Sequence, residues 1–320
     1  MGKDKVTVIG SINYDLIIQQ SRLPLKGETF TGDGMVSAPG GKGANQAVQA
    51  ARLGLKTYMV GKTGDDTFAD ACFKSLEDAN VNCDHVQKLQ SINTGLGIVH
   101  LLPDGDYYST ILTGANFAIG CDDIQKVEPL LAESKIVILQ MEIPTKAVEN
   151  SIELAHQNGC YVILNLAPPK SIRPEILKLV DCLIVNETEA SFLTGTRIDS
   201  QESSERAADS LLQRVGDLLI ITLGIKGSIA FRVGQKAFEP TNGIKALDAT
   251  GAGDSFIGGV AYCLYHGIRD VSRILKIATF VSSVSITRYG GQPSFPRLGE
   301  LDGIEKILHE SLPSDAVFDS

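Results

Sequence analysis

The sequence predicts an α/β fold: a central, mostly parallel sheet with helices on both faces, plus a small β-sheet lid. Three observations point there. From about Asp122 onward, short apolar, β-rich runs alternate with helical patterns, which is how a parallel sheet under two helical layers is built. Those runs are apolar throughout rather than at every second residue, as strands buried on both faces require. Two earlier stretches, about 14–37 and 94–113, mix apolar and polar residues. They read as the partly exposed strands of a lid.

Taken in order, Val6–Gly10 is a buried strand ending in a glycine turn. Asp15–Gln19 and Glu28–Val36 supply the first lid strands. Ala44–Leu53 is a helix, begun by Gly40-Gly41-Lys42-Gly43 and closed by Gly54. Thr57–Val60 is a strand and Asp66–Ala79 an amphipathic helix. Gly95–Leu102 and Asp106–Leu112 flank Pro103-Asp104-Gly105, the mark of a hairpin turn. Ile136–Met141, Tyr161–Leu164, Cys182–Val185 and Leu218–Thr222 are sheet strands. Helices over Thr145–Gln157, Glu189–Thr194 and Ser203–Val215 separate them. Ser228–Phe231 and Lys236–Glu239 add a meander, and helices over Asp254–Tyr265 and Val271–Thr287 follow. The tail from Leu312 is polar and reads as frayed. No linker or repeat divides the 320 residues, so they read as one domain. Lid strands that cannot bury both faces alone suggest pairing with a second copy of the chain.

A net charge of −9 with no basic run argues against a nucleic-acid partner. An anionic substrate then has to be held by local N–H groups, a metal ion or a few cations. Six scattered cysteines without a C-x-x-C pair fit a reducing compartment. There is no leader pattern and no apolar run of membrane-spanning length, so a soluble, cytoplasmic protein is expected.

The segment Asp248–Phe256 carries the most information. Gly251-Ala252-Gly253 is a small-residue turn, followed by one carboxylate, Asp254, and a helical pattern. Such a turn crowds main-chain N–H groups around an anion. An acid there is ill suited to hold a phosphate but suited to deprotonate a hydroxyl that attacks one. The plainer reading makes Asp254 a helix cap. Pro39–Ala47 is the second candidate: a loop stripped of side chains that enters a helix and presents Asn45. It is not a Walker A loop, because Gly43 follows Lys42 and no glycine stands five positions before Gly41. Asn13 and Asp15 lie just past the first strand, where ligands bind in open α/β sheets. Two residues apart on an extended chain, they face one way and can hold adjacent hydroxyls; an Asx-turn is the alternative. Glu142 occupies a similar strand-end position. Asn186 and Glu189 follow another strand and read either as a capping box or as an amide and acid that organise Mg²⁺ near phosphates. Thr222–Gly227 is a glycine-punctuated turn able to accommodate a nucleotide. The five histidines show no metal-binding spacing.

Over nearly its full length the chain resembles the ribokinase (PfkB-type) carbohydrate kinase family. One family signature runs from Gly40-Gly41 through Asn45 to Gly54, the other from Asp248 through Asp254 to Gly258-Gly259. Ala249 stands where Pro, Ser, Thr or Val is usual. Ser11–Asp15, Asn186–Glu189 and Ile221–Gly224 also match. The resemblance implies a ribokinase-like fold and transfer of the ATP γ-phosphoryl group to the primary hydroxyl of a pentose, D-ribose first. Deoxyribose, fructose, tagatose or a nucleoside are the alternative acceptors, and a non-catalytic sugar-binding regulator is the remote one. It places Asn13, Tyr14, Asp15, Gly41, Lys42, Gly43, Ala44, Asn45 and Glu142 at the sugar, although Tyr14 should point away on an extended strand. Asp254 is the implied base, the N–H groups of Ala252 and Gly253 would form the anion hole, and Gly251 belongs to the same catalytic turn. ATP would meet Asn186, Glu189, Thr222, Leu223, Gly224, Ile225, Lys226, Gly227 and Thr279. A monovalent cation, K⁺, would be held by Asp248, Thr250, Ser285, Arg288, Gly290 and Ser294, mostly through carbonyls. The family's lid commonly clasps a homodimer.

Overall fold

The computed structural model of the chain describes residues 2–103, 107–302 and 304. Asp104 and Gly105 of the hairpin turn, the strand start at Asp106 and the tail from Leu312 lie outside the described residues. The strands and helices run, in order, β1 (Lys5–Ile9), β2 (Asn13–Gln19), β3 (Gly34–Gly40), α1 (Lys42–Arg52), β4 (Thr57–Gly64), α2 (Thr67–Asp78), β5 (Asn82–Leu89), β6 (Gly95–Leu101) and β7 (Tyr107–Leu112). There follow α3 (Cys121–Lys126), α4 (Glu128–Ala132), β8 (Ser134–Leu139), α5 (Thr145–Gln157), β9 (Tyr161–Asn165), α6 (Pro174–Leu177), β10 (Cys182–Asn186), α7 (Glu187–Thr194) and α8 (Gln201–Leu212). The last are β11 (Leu218–Thr222), β12 (Ser228–Arg232), β13 (Gln235–Glu239), α9 (Ala252–Tyr265) and α10 (Val271–Ser285).

Among the described residues, nine strands form the main sheet in the order β13-β12-β11-β10-β9-β8-β1-β4-β5. The seven from β11 to β5 pair in parallel, and β12 and β13 add an antiparallel edge. Alternation along each strand sends side chains into two cores. Val6, Val8, Ile136, Ile138, Ile163, Ile184 and Ile220 pack with α1, α2, α9 and α10 on one face. Ile9, Val137, Leu139, Val162, Leu164, Leu183, Leu219 and Ile221 pack with α5 to α8 on the other. Each such side chain withdrawn from water contributes roughly 1.5–3 kcal/mol, which is why the strands read as apolar throughout.

Helix boundaries follow local chemistry. The Asp66 side chain accepts from Ala69 N and starts α2, and Ser200 does the same for α8 through Ser203 N. Gly54, at φ 84°, stands just past the end of α1. The second sheet, β3-β2-β6-β7, is the small lid, with β2 and β6 parallel at its centre.

Three expectations need correction. Glu28–Asp33 is not strand: Arg22 pairs with Glu28 and lies over the Phe30 ring, and Leu25 N donates to Glu28, so this stretch folds onto itself as a loop. The partner of β2 begins only at Gly34. β8 stops at Leu139, because Met141 N turns to the carbonyl of Ala167. β5, an edge strand of mixed polarity, was not expected at all. Among the described residues no helix is long and apolar enough to cross a membrane.

Candidate active site

The site lies beyond the carboxyl ends of the central strands, where the chain leaves β1 toward β2 and α1 doubles back on it. Ala44 N donates to the Ser11 carbonyl and Gly43 N to the Ser11 hydroxyl. That hydroxyl donates to Glu142 Oε2 at 2.5 Å, and Lys42 N reaches the same oxygen at 3.0 Å. The loop after β8 and the start of α1 are thereby locked together.

Asp254 stands in the first turn of α9 and is almost wholly buried. Asn45 Nδ2 donates to its Oδ2 and Gln46 Nε2 to its Oδ1, both at 2.9 Å. Burial pushes this carboxyl up from its ordinary value, while the Lys42 charge and the two amides pull it back down. Asp15 is pushed up to about 7, first by burial, then by the charges of Glu142 and Asp254, with Lys42 opposing. The carboxylates at 15, 142 and 254 therefore act on one another, with the Lys42 ammonium opposing at Asp15 and Asp254 and Lys170 facing Glu142.

Asn13 and Asp15 do face one way on β2. The amide of Asn116 donates to Asn13 Oδ1 at 2.7 Å, which turns the Asn13 NH₂ group outward as a donor. Tyr14 does not belong with them: its ring packs 5.1 Å from that of Phe68 and its hydroxyl meets Ser37. The alternation that brings Asn13 and Asp15 together sends the residue between them to the opposite face. Ala44 is likewise core, 1% exposed, and offers the site only its backbone.

On the other side of the α9 start lies a cavity of about 500 Å³. Thr222, Gly224, Ile225, Gly227 and Thr279, among the residues expected to face a nucleotide, line it together with Ala252 and Gly253. Leu223 is buried in the core beneath, and the Lys226 ammonium binds the Asp199 carbonyl, so neither lines the cavity. Thr241, Asn242, Ile244, Lys245, Ser283 and Ile286 do, and none of them was singled out from the sequence. Gly253 thus walls this cavity while the next side chain, Asp254, reaches the carboxylate cluster.

The turn Gly251–Gly253 is tightly made. Gly251 has φ 76°, the left-handed region, and a Cβ there would stand 2.8 Å from the Phe295 ring. Ala252 N donates to the Ala249 carbonyl at 3.1 Å. Of the two N–H donors expected for an anion, that of Ala252 is taken by the turn itself. Asn186 and Glu189 form the capping box of α7: Asn186 Oδ1 accepts from Glu189 N, and both Glu189 oxygens accept from Asn186. Asp248 ties two loops, accepting from Thr250 N and Gly290 N at 2.8 Å each. Ser285 and Ser294 donate to the nearby carbonyls of Ser282 and Gly291, whereas the Arg288 side chain pairs outward with Glu300. Among the described residues no three His, Cys, Asp or Glu side chains gather to hold a metal ion.

Sequence reasoning also missed Gln46, Asn116 and Gln292, the amides that orient Asp254, Asn13 and Asn45.

Comparison with known proteins places this geometry in a class. The family model described as "pfkB family carbohydrate kinase" matches residues 3–298, and the chain belongs to that family. It is 34% identical over 295 residues to a mouse ribokinase, covering 91% of each chain. It is 33% identical to a deoxyribokinase of Salmonella typhimurium over 93% of this chain and 97% of that one. A solved Arabidopsis thaliana ribokinase, complexed with ribose and ATP, superposes with a TM-score of 0.86 at 30% identity, covering 97% of this chain and all of that one. The protein is thus a carbohydrate kinase with a ribokinase-like fold.

Proposed function

We propose that the protein transfers the γ-phosphoryl group of ATP to the primary hydroxyl of D-ribose, giving ribose 5-phosphate. One observation carries the reading: Asp254 is held by two amides between a cluster of sugar-facing polar groups and a cavity walled by its own neighbour Gly253. Asn13 presents a donor and Asp15 an acceptor to adjacent hydroxyls, and Glu142 and the α1 start hold the far side. Binding sets the primary hydroxyl against the Asp254 carboxylate, and orientation of this kind supplies much of the rate gain. Asp254 takes the hydroxyl proton late in the transfer, help worth ~10²–10⁴-fold. The Gly253 N–H, at the positive end of α9, meets the charge on the moving group.

ATP would occupy the cavity of about 500 Å³, and Mg²⁺ bound with it would supply charge neutralisation on the triphosphate. The Asn186–Glu189 box is fully bonded within itself, so any help it gives Mg²⁺ passes through water. K⁺ would be held at the loops that Asp248 ties together, through main-chain carbonyls, since both Asp248 oxygens already accept main-chain N–H groups. Bound there, it would stiffen the turn preceding α9. The whole chain, 1–320, would act as one kinase domain whose lid pairs with that of a second copy. Met35, Val36, Tyr108, Ile111 and Leu112 are exposed on the lid's edge strands, an apolar surface suited to such a clasp. A cytoplasmic location suits six cysteines that all remain free thiols.

Deoxyribose is the second reading, favoured by the 33% identity to a deoxyribokinase. The test is a panel of ribose, 2-deoxyribose, fructose, tagatose and nucleosides, assayed for ADP release with and without K⁺. Ribose should give the highest kcat/KM, and K⁺ should raise it. A tenfold preference for another acceptor sinks the ribose assignment.

A further inference from the structure

Gln46 is completely buried on α1, at a place in the helix pattern that an alanine or leucine could fill. A buried amide is costly unless its donors and acceptor are satisfied. Here they are. Nε2 donates to Asp254 Oδ1 at 2.9 Å and lies 3.3 Å from Asn165 Oδ1, while Oε1 accepts from Gln140 Nε2 at 2.6 Å. Gln140 is also fully buried and has no other bonded side-chain partner among the described residues. The chain Gln140–Gln46–Asp254 therefore runs from the end of β8 through α1 to the first turn of α9. The opposite carboxylate oxygen is fixed in parallel: Asn45 Nδ2 donates to Oδ2, Asn45 Oδ1 accepts from Gln292, and Ser75 donates to Gln292. Each Asp254 oxygen thus accepts one amide hydrogen, and both amides are anchored from behind.

We infer that Gln46 is a positioning residue for the phosphoryl transfer: with Gln140 fixing its orientation, its amide holds the Asp254 carboxylate in the plane that points a free lone pair at the acceptor hydroxyl. The inference rests on the reading of Asp254 as the base. Gln46 is completely buried and presents no surface to a sugar or a nucleotide. The charged groups facing the carboxylate are Lys42 on α1, Asp15 on β2 and Glu142 after β8. The helix packed along α9, α10, meets its first turn through Ser282, which is neutral. The Gln46 amide favours the ionised carboxylate against the opposing effect of burial.

The test is the pH profile of kcat in Gln46→Met, which keeps side-chain length and loses the donor. Loss of one anchored contact should lower kcat by ~10–100-fold, with the sugar KM within about threefold of wild type because Asn13 and Asp15 are untouched. The acid limb should move to higher pH by about one unit, as expected when a hydrogen bond to a charged group is removed. Gln140→Met, which leaves Asp254 its direct partners, should show the same two changes at smaller size, and it decides the matter if Gln46→Met does not fold. A purely structural role for Gln46 predicts a lower Tm with kcat and the acid limb unmoved, and that result in either folded variant overturns the inference. Asp254→Asn, run alongside, separates the two claims. If it stays active the base reading fails; if it is inactive while Gln46→Met behaves as wild type, only the role of Gln46 fails.

Discussion

Asp15 occupies the space that a side chain on Gly97 would need: a Cβ built on Gly97 would stand 2.3 Å from Asp15 Oδ1. The same holds on the other flank, where a Cβ on Gly40 would stand 2.0 Å from Asp15 Oδ2. The two lid strands that neighbour β2 have given up side chains so that this carboxylate can lie between them. Gly97→Ala should therefore displace Asp15 rather than unfold the lid. Overpacking of this kind costs about 1–3 kcal/mol, so the sugar KM should rise by ~10-fold while the ATP KM and kcat change little. Steady-state kinetics with each substrate varied checks this.

Asp15 should also give the enzyme a pH-dependent affinity for its sugar. Its carboxyl is raised to about 7 by burial and by the neighbouring acids. Below that pH it is protonated and loses acceptor strength, so KM for the sugar should rise as pH falls through about 7, and Asp15→Asn should flatten the curve. Stability runs the other way. Between the ordinary value of 3.8 and about 7, the folded chain keeps a proton that the unfolded chain has lost, so stability falls as pH rises across that window. Without ligand, Asp15→Asn should melt higher than wild type at pH 8, and the gap should close by pH 4.

The turn before α9 permits a sharp substitution. Gly251→Ala puts an L-residue at φ 76° and a methyl 2.8 Å from the Phe295 ring. Left-handed backbone alone costs roughly 1–2 kcal/mol. The turn should open, moving Gly253 N–H and Asp254 together. Turnover should fall by at least ~10-fold, with a lower Tm measured by calorimetry.

The nucleotide cavity can be tested apart from the sugar. Ser283 lines it and holds Asn242 at 3.3 Å. Ser283→Tyr fills that wall and should raise the ATP KM by ~10-fold or more, leaving the sugar affinity measured by calorimetry unchanged. If both affinities fell together, the cavity would not be a separate nucleotide site.

Much of this was legible in the sequence. Strands such as Val137–Leu139 are buried on both faces, so their apolar runs left little choice of fold. Asp254, Asn45, Asn13 and Asp15 could be singled out because glycine turns and strand ends are where open α/β sheets place ligands. What stayed hidden has physical causes. β5 reads Asn-Cys-Asp-His-Val-Gln-Lys-Leu, with no apolar alternation, since it lies at the sheet edge with its residues half-buried or exposed and none fully buried. Gln46, Asn116 and Gln292 are buried amides whose partners lie 94 or more residues away, and no local pattern separates such a glutamine from a surface one. The cavity wall from Thr241 to Ala246 is a loop with no regular element to announce it. Ala252 was expected to donate to the phosphoryl group because a small-residue turn exposes its amides in general. Which amide the turn itself consumes depends on backbone angles that residue types do not specify.

The most direct measurement is Asp254→Asn, with sugar binding followed by calorimetry and turnover by product formation. The account predicts a sugar Kd within about threefold of wild type and a kcat lower by ~10²–10⁴-fold. Turnover close to wild type at unchanged affinity would contradict it, because the proton would then be leaving the hydroxyl by another route.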